Sequence, residues 1–366
     1  MLSYCTNVHP AEDLDGIVAQ LDTYAVPVRE RLGVDLLGVG LWLAAEVASA
    51  LADDPGARAR FAGELKARGL GVQTLNAFPY GGFHDTVVKH AVYVPEWTDP
   101  RRLRYTRDCL TVLADLLHED ASYGSISTLP LAWRDPWGPG DDERAVAALD
   151  EVTAHARALS DRVGRPLRLA VEPEPGCVLD TVADAVSWLS GRVDPAYVGL
   201  CLDTCHLAVS FADPASTVRR VHDAGLDVVK VQASAALHVE NPADPQARAA
   251  LAEFCEPRYL HQVRELSATG EVLAADDLDA ALTDLPGTGP WRVHFHVPLH
   301  TRPRSPLAST TDVLTDAVAA LAGSGRALPH VEVETYTWTV LPEADRTDLA
   351  AGIADELSWA RTEVAV

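Results

Sequence analysis

Apolar runs that end in a polar residue recur at a nearly constant interval in the middle of the chain. The residues that end three of these runs are Glu172, Asp203 and Gln232, which are 31 and 29 positions apart. A strand, its crossover helix and the two connecting loops occupy about 30 residues. The interval therefore predicts consecutive strand–helix units of a parallel sheet.

The same alternation of short apolar runs and longer helical stretches extends over the whole chain and predicts an α/β fold. Nine segments have the composition of strands: Leu2–His9, Leu36–Leu43, Gly71–Phe78, Tyr123–Leu131, Leu167–Glu172, Val198–Asp203, Asp227–Gln232, Trp291–Val297 and His330–Thr337. Eight strands close a (β/α)8 TIM barrel, so one segment should lie outside the ring. We predict a single TIM-barrel domain over 1–366 with an insertion at about 234–290, where the regular alternation of strands and helices is interrupted.

The charge and the cysteines restrict the class of partner and the compartment. The net charge of −23, from 53 acidic and 30 basic residues, disfavours nucleic acid and anionic membranes as partners. No apolar run approaches the ~20 residues of a membrane span, and the first residues do not have the pattern of a signal peptide. The six cysteines form no CxxC pair, which is typical of reduced thiols. We therefore expect a cytoplasmic protein, and the scarcity of lysine suggests a GC-rich bacterial genome.

Polar residues concentrate at the predicted carboxyl ends of the strands, where barrels of this type carry their active sites. Several carboxylates with one imidazole suit Mn²⁺, Mg²⁺, Zn²⁺ or Co²⁺, so we expect a divalent metal cofactor of open identity. The strand-end residues are Asn7, His9, Asn76, Glu172, Glu174, Asp203, His206, Lys230, Gln232, His294, His296, Glu332 and Glu334.

Several of these residues allow two interpretations. Glu174 either contributes to the site or orients its neighbour. Glu332 lies deeper in its strand than Glu334, which favours an ion pair for Glu332 and the metal for Glu334. Lys230 is either catalytic or a counter-charge for the acids. If one histidine of the final His-Phe-His motif binds metal, the other should be structural.

Four motifs in order, VEPEPG, LDTCH, HFH and EVET, resemble the xylose isomerase-like TIM-barrel superfamily of sugar-phosphate isomerases and epimerases. The resemblance covers most of the chain. It implies a metal held by Glu172, Asp203, His296 and Glu334, with His206 on the substrate side. More narrowly, segments such as TNVHP, LNAFPYGGFH and VEVETYTW are similar to the EboE-like metabolite traffic proteins.

One departure from the superfamily pattern affects the histidine of the predicted metal site. The isomerases place a histidine about 26–30 residues after the aspartate of strand six, where this chain has Lys230 and Gln232. The His-Phe-His segment follows some 60 residues later. Either an added strand carries the histidine, or Gln232 occupies the strand-seven position and His296 closes the site from elsewhere.

The combined pattern predicts a metal-dependent isomerase or epimerase for a sugar or sugar-like small metabolite, with acid/base chemistry next to a carbonyl. Glu172 or Glu334 would move the proton. His206 and Lys230 would hold substrate oxygens, as the two other catalytic residues. The remaining predicted substrate contacts are Asn7, His9, Asn76, Glu174, Gln232 and His294.

Two other functions compete with this prediction. A metabolite-binding or handover protein would keep the barrel and pocket without turnover, and the Lys230/Gln232 departure favours it. A nuclease on the same barrel is disfavoured by the negative charge and by the absence of histidine in Leu36–Leu43. The sequence leaves the formation of a homo-oligomer open.

Overall fold

Eight parallel strand positions close into a ring in the computed structural model, which describes residues 1–364. The predicted TIM barrel is thus confirmed. The third position is split into two short strands, β3 and β4, which both pair with β2. The barrel strands are β1 Ser3–Cys5, β2 Leu37–Trp42, β3 Leu70–Gly71, β4 Thr74–Asn76, β5 Gly124–Thr128, β6 Leu167–Val171, β7 Val198–Asp203, β8 Val228–Ala233 and β14 His330–Val333.

Helices lie between the barrel strands and cover their outer face. Many begin at an aspartate whose side chain accepts a backbone N–H of the first turn, such as Asp99 and Asp213. None of the described helices combines the length and apolar character that a membrane crossing requires. The helices are α1 Leu14–Gln20, α2 Val26–Arg31, α3 Ala45–Asp53, α4 Pro55–Ala67, α5 Pro100–Leu116, α6 Asp141–Val163, α7 Val182–Leu189, α8 Thr204–Val209, α9 Pro214–Asp223, α10 Pro245–Ala252, α11 Leu278–Asp284, α12 Thr311–Gly323 and α13 Leu349–Glu363.

A second, five-stranded antiparallel sheet lies between β8 and α12. Its strands are β9 Leu237–Val239, β10 Val263–Leu266, β11 Val272–Ala275, β12 Trp291–Val293 and β13 Leu307–Ser309. Of the nine strand segments predicted from the sequence, the one that begins at Trp291 therefore pairs outside the ring. The added segment extends to Ser309, whereas the sequence predicts an end near 290. Its apolar composition matches that of a barrel strand, and composition does not reveal which strand it pairs with.

A long loop after β4 and the added sheet are joined over the carboxyl end of the barrel. The backbone N–H groups of Val88 and Lys89 both donate to the carbonyl of Arg258, at 2.8 Å each. The Lys89 ammonium also forms an ion pair with Asp277 at the start of α11. Loop and sheet thus form a common cover above the strand ends.

The barrel interior contains a fully buried ion pair between Lys230 of β8 and Glu332 of β14, with Nζ and Oε2 2.6 Å apart. Unpaired, either charge would cost several kcal/mol to bury. Space for the carboxylate comes from Gly40 of β2, because a Cβ at that position would lie 1.1 Å from Glu332 Oε1.

We predict that Gly40→Ala destabilises the fold by about 2 kcal/mol or more, because the added methyl group displaces a buried, ion-paired carboxylate. Urea unfolding at fixed pH would measure the change. Gly63→Ala is the matched control, since Gly63 lies in α4 with open space around its Cα. There alanine should stabilise by up to about 1 kcal/mol. Equal effects of the two substitutions would contradict the prediction.

Candidate metal centre and its pocket

A cavity with about 520 Å³ of empty volume opens at the carboxyl end of the barrel. Its floor is polar and consists of strand-end carboxylates, amides and imidazoles. Its walls are apolar or aromatic and come from the loop after β4, from the added sheet and from the segment after β14. Wall residues include Phe83, Val92, Tyr93, Tyr259 and Tyr336.

Three buried carboxylates meet at the floor. Glu172 directly follows β6, Asp203 ends β7 and Glu334 directly follows β14. One oxygen from each lies within 4.8 Å of the other two. Adjacent parallel strands end at the same edge, which is why residues more than 130 positions apart converge here.

Each of these carboxylates keeps acceptor capacity. Asp203 Oδ1 accepts from the His206 N–H at 2.9 Å and from the Ser234 hydroxyl at 2.8 Å. Its Oδ2 has no hydrogen-bond partner among residues 1–364, and neither has Glu172 Oε2. Buried oxygens without a donor are rare in proteins and indicate an absent ligand or ion.

Glu334 is held in place by two amides. The Nδ2 groups of Asn7 and Asn76 both donate to its Oε1, each at 2.8 Å. Asn7 follows β1 and Asn76 ends β4, so two further strand ends contribute to the floor. Both asparagines therefore orient a carboxylate and also line the cavity.

His296 reaches this cluster from the segment after β12. Its Nδ1–H donates to the carbonyl of Glu334 at 2.7 Å, so in the neutral ring Nε2 carries a lone pair. That nitrogen lies 3.8 Å from Asp203 Oδ2 and has no hydrogen-bond partner in the described chain. Burial lowers the pKa of His296 to about 4, which keeps the ring neutral. A backbone carbonyl that fixes the tautomer is typical of metal-binding histidines.

The donor set fits a divalent cation. Burial, and then the neighbouring carboxylates, raise the pKa values of Glu172 and Glu334 well above 4.5. A cation among these carboxylates would reverse that effect and use the unpartnered oxygens. Glu172, Asp203, His296 and Glu334 are the residues that would hold it. Gln232, whose buried amide oxygen and nitrogen have no partner within residues 1–364, is paired in register with Asp203.

A second group of side chains lies next to this cluster and comprises Glu174, His206 and His294. The Nε2 atoms of the two imidazoles are 3.1 Å apart. Glu174 Oε1 accepts from the Tyr93 hydroxyl at 2.6 Å. Gln262, which sequence analysis missed, connects them, because its Oε1 lies 2.6 Å from His294 Nδ1 and its amide nitrogen 3.3 Å from Glu174 Oε1.

Both histidines of the His-Phe-His motif line the cavity, so the interpretation in which one of them is purely structural does not hold. The strand ends at Val293, and the irregular backbone after it directs His294 towards His206 and His296 towards Asp203. Each of the two alternatives that the sequence left open for the position of the histidine thus describes part of the arrangement. Gln232 occupies the seventh barrel strand, and the histidine comes from the added sheet.

Lys230 is not available to a substrate, contrary to the predicted catalytic role. Its ammonium is fully buried below the cavity, paired with Glu332 and 3.2 Å from the Ser127 hydroxyl. Burial alone would lower the pKa of this ammonium, but Glu332 raises it above its usual value. The group stays charged and structural.

His9 also lies away from the cavity, contrary to the predicted substrate contact. Its ring stacks on Tyr24 at 4.4 Å, and its Nε2 lies 3.1 Å from the Tyr4 hydroxyl. Strand β1 ends at Cys5, and Thr6–Val8 form a 3-10 turn. The turn ends the two-residue alternation of a strand, so Asn7 faces inward while His9 faces the helices.

Glu356 of α13 connects the two segments that carry His296 and Glu334, and nothing in the sequence distinguishes it from other helical glutamates. Its Oε1 accepts from the Leu299 N–H at 2.9 Å and from the Thr335 hydroxyl at 2.7 Å. Burial raises its pKa to about 7. The carboxylate positions both segments without contacting the cavity.

We predict that Glu356→Ala weakens divalent-metal affinity about 10- to 100-fold, the usual effect of removing an outer support of a metal site. Isothermal titration of the metal-free protein with Mn²⁺ would measure it. Glu356→Gln keeps an acceptor oxygen for Leu299 and should restore most of the affinity. An unchanged affinity in a folded Glu356→Ala protein would exclude the positioning role.

The metal-free protein should lose stability as pH rises above about 7.5, where unfolded histidines, with an ordinary pKa near 6.5, are mostly neutral. Glu172 and Glu334 have raised pKa values when folded and ordinary ones when unfolded, so the native state binds more protons in this range. Stability then falls with pH by up to ~1.4 kcal/mol per pH unit for each extra bound proton. Thermal unfolding between about pH 7.5 and 9 would show the decline. With saturating Mn²⁺ the carboxylates are ionised in the native state, and a decline of equal steepness would contradict the assignment.

Comparison with solved structures finds the same TIM-barrel fold in several proteins. An L-ribulose 3-epimerase aligns with a TM-score of 0.55 at 14% identity, over 100% of this chain and 94% of that one. A xylose isomerase-like TIM-barrel protein from Mycobacterium smegmatis in complex with magnesium aligns at 0.56 and 14%, over 99% and 96%. A D-psicose 3-epimerase in the presence of D-fructose aligns at 0.52 and 13%, over 100% and 99%.

Sequence comparison does not extend this result. No family model matches the chain, and no curated protein matches it either. At 13–14% identity the structural neighbours show the fold, and the function has to be argued from the site.

Proposed function

We propose that this protein is a metal-dependent epimerase or isomerase that acts on an uncharged ketose, polyol ketone or similar small metabolite. The observation that carries the proposal is the convergence of three buried carboxylates and a lone-pair imidazole on the floor of a cavity. The structural neighbours support it, since they include sugar 3-epimerases.

A bound divalent ion would polarise a substrate carbonyl and acidify the adjacent C–H. Glu172 is the better proton carrier of the two glutamates, because its Oε2 has no donor among residues 1–364. Glu334, in contrast, accepts from two amides that favour its ionised form. The aromatic walls exclude water and cover the apolar face of a sugar ring or chain.

The cations around the cavity support an uncharged substrate over a phosphate ester. Lys89 is the one lysine or arginine that lines the cavity in the described part of the chain, and Asp277 neutralises it. The N–H groups of Val88 and Lys89 are occupied by the Arg258 carbonyl. The acidic floor would repel a phosphate, and no free lysine or arginine of the described chain lines the cavity to offset that repulsion.

Solvent-exchange experiments would test the proposal. The Mn²⁺-loaded protein would be incubated in D₂O with D-fructose, D-tagatose or L-ribulose, and deuterium next to the carbonyl would be followed by NMR. We expect exchange with at least one free ketose and little with its phosphate ester. Glu172→Gln should reduce exchange about 10²- to 10⁴-fold, the usual contribution of a general base. Glu64→Gln, on the exposed face of α4, is the control that should exchange normally.

The same experiment addresses the competing function. A handover protein of the EboE type would bind a metabolite, with ketose-dependent shifts in the protein spectrum, and leave its C–H bonds unexchanged. The motif similarity supports that alternative. The missing strand-seven histidine supports it less, because His296 supplies an imidazole from another direction.

A further inference from the structure

The imidazoles of His206 and His294 face each other through nitrogens that both carry lone pairs. Their Nε2 atoms are 3.1 Å apart, and each side chain is more than nine-tenths buried. A hydrogen bond across this distance needs one ring to donate from Nε2. Neither neutral ring can do so, because the hydrogen-bond partner of each Nδ1 requires the ring proton to be on Nδ1.

His206 has its ring proton on Nδ1. That nitrogen lies 2.9 Å from the carbonyl oxygen of Pro173, which can only accept. Nδ1 is therefore the donor, and Nε2 of the neutral ring is left with a lone pair.

The same holds for His294, because the orientation of Gln262 is determined by its surroundings. The amide nitrogen of Gln262 donates to the Pro175 carbonyl at 2.9 Å and to the Tyr93 hydroxyl at 3.0 Å. Its oxygen therefore faces His294 Nδ1 at 2.6 Å and requires a proton there.

Two lone pairs at this distance repel each other unless a positive centre lies beside both. Two imidazole nitrogens bound to one tetrahedral zinc, each about 2.0–2.1 Å from the ion, are about 3.3 Å apart. The observed 3.1 Å is close to that separation. The Tyr336 hydroxyl, 3.4 Å from His294 Nε2, gives that nitrogen one distant donor, whereas His206 Nε2 has none among residues 1–364.

A carboxylate completes the group. An oxygen of Glu174 lies within 4.8 Å of one ring nitrogen of each histidine, and its Oε1 is 3.7 Å from His294 Nδ1. With Glu172, Asp203 and Glu334, the floor carries four buried carboxylates, one more than the first centre would use.

We propose that Glu174, His206 and His294 bind a second divalent cation beside the first centre. Two imidazoles and one carboxylate are a donor set that favours zinc and leaves a position open to a substrate oxygen. Only the contact with a substrate oxygen rests on the proposed function. Binding of the second ion does not depend on turnover of a substrate.

Metal content separates the two centres. Metal-free protein would be loaded with Zn²⁺, desalted and measured by plasma emission. The wild-type chain should retain two ions. His294→Gln and Glu174→Gln should each retain one, and Glu172→Gln should lose the other. His238→Gln is the matched control, since His238 lies on β9 next to Glu240 and away from the cavity.

Cobalt spectra give an independent readout if a variant folds poorly. The visible absorption of a tetrahedral Co²⁺ ion should appear in the wild type and in Glu172→Gln and vanish in His294→Gln. One retained ion in the wild type, or an unchanged ion count in His294→Gln, would overturn the second centre and indicate a proton shared by the rings. Normal ketose exchange with one ion would leave the proposed function intact, whereas two ions without exchange would contradict that function alone.

Discussion

The crowding of buried carboxylates is the constraint on which the rest of this structure depends. Burial, and then repulsion from the neighbouring carboxylates, raise the pKa values of Glu172 and Glu334 well above 4.5. Lys230 lowers both pKa values, but its charge is already paired with Glu332 and does not offset the rise. The buried acids therefore lie in two different environments. Glu332 pairs with the Lys230 ammonium inside the barrel, whereas Glu172 and Asp203 at the strand ends each keep an oxygen that has no hydrogen-bond partner among residues 1–364.

The added sheet brings a histidine to the carboxylates, although the seventh barrel strand carries none. The seventh strand keeps Gln232 and Lys230 inside the ring, and the imidazole arrives from beyond β12. Hydrogen bonds from His296 to the Glu334 carbonyl and from the Thr337 hydroxyl to the His296 carbonyl fasten this segment to the strand ends. Under the proposed metal assignment, an insertion would thus supply the ligand that a barrel strand lacks, because a metal requires donors in position whatever segment carries them.

The barrel and the positions of its acids could be predicted from the sequence because both follow from local pattern. Apolar runs identify strands, and the residue after a run must lie at a strand end, as Glu172 and Glu334 do. Pairing partners are not local, so the place of Trp291–Val293 outside the ring could not be predicted. Side-chain direction after a strand end depends on the turn, which explains His9. Glu356 and Gln262 act through long-range hydrogen bonds that leave no periodic signal.

If His296 ligates an ion as proposed, its connection to the added sheet would make ion binding and docking of that sheet linked equilibria. If the ion binds more tightly to the docked form by some factor, the ion favours docking by the same factor. The sheet also closes over the cavity through Arg258 and Asp277. Loading of the metal would then be coupled to access: the state that is ready for chemistry would also be the state with the cover in place.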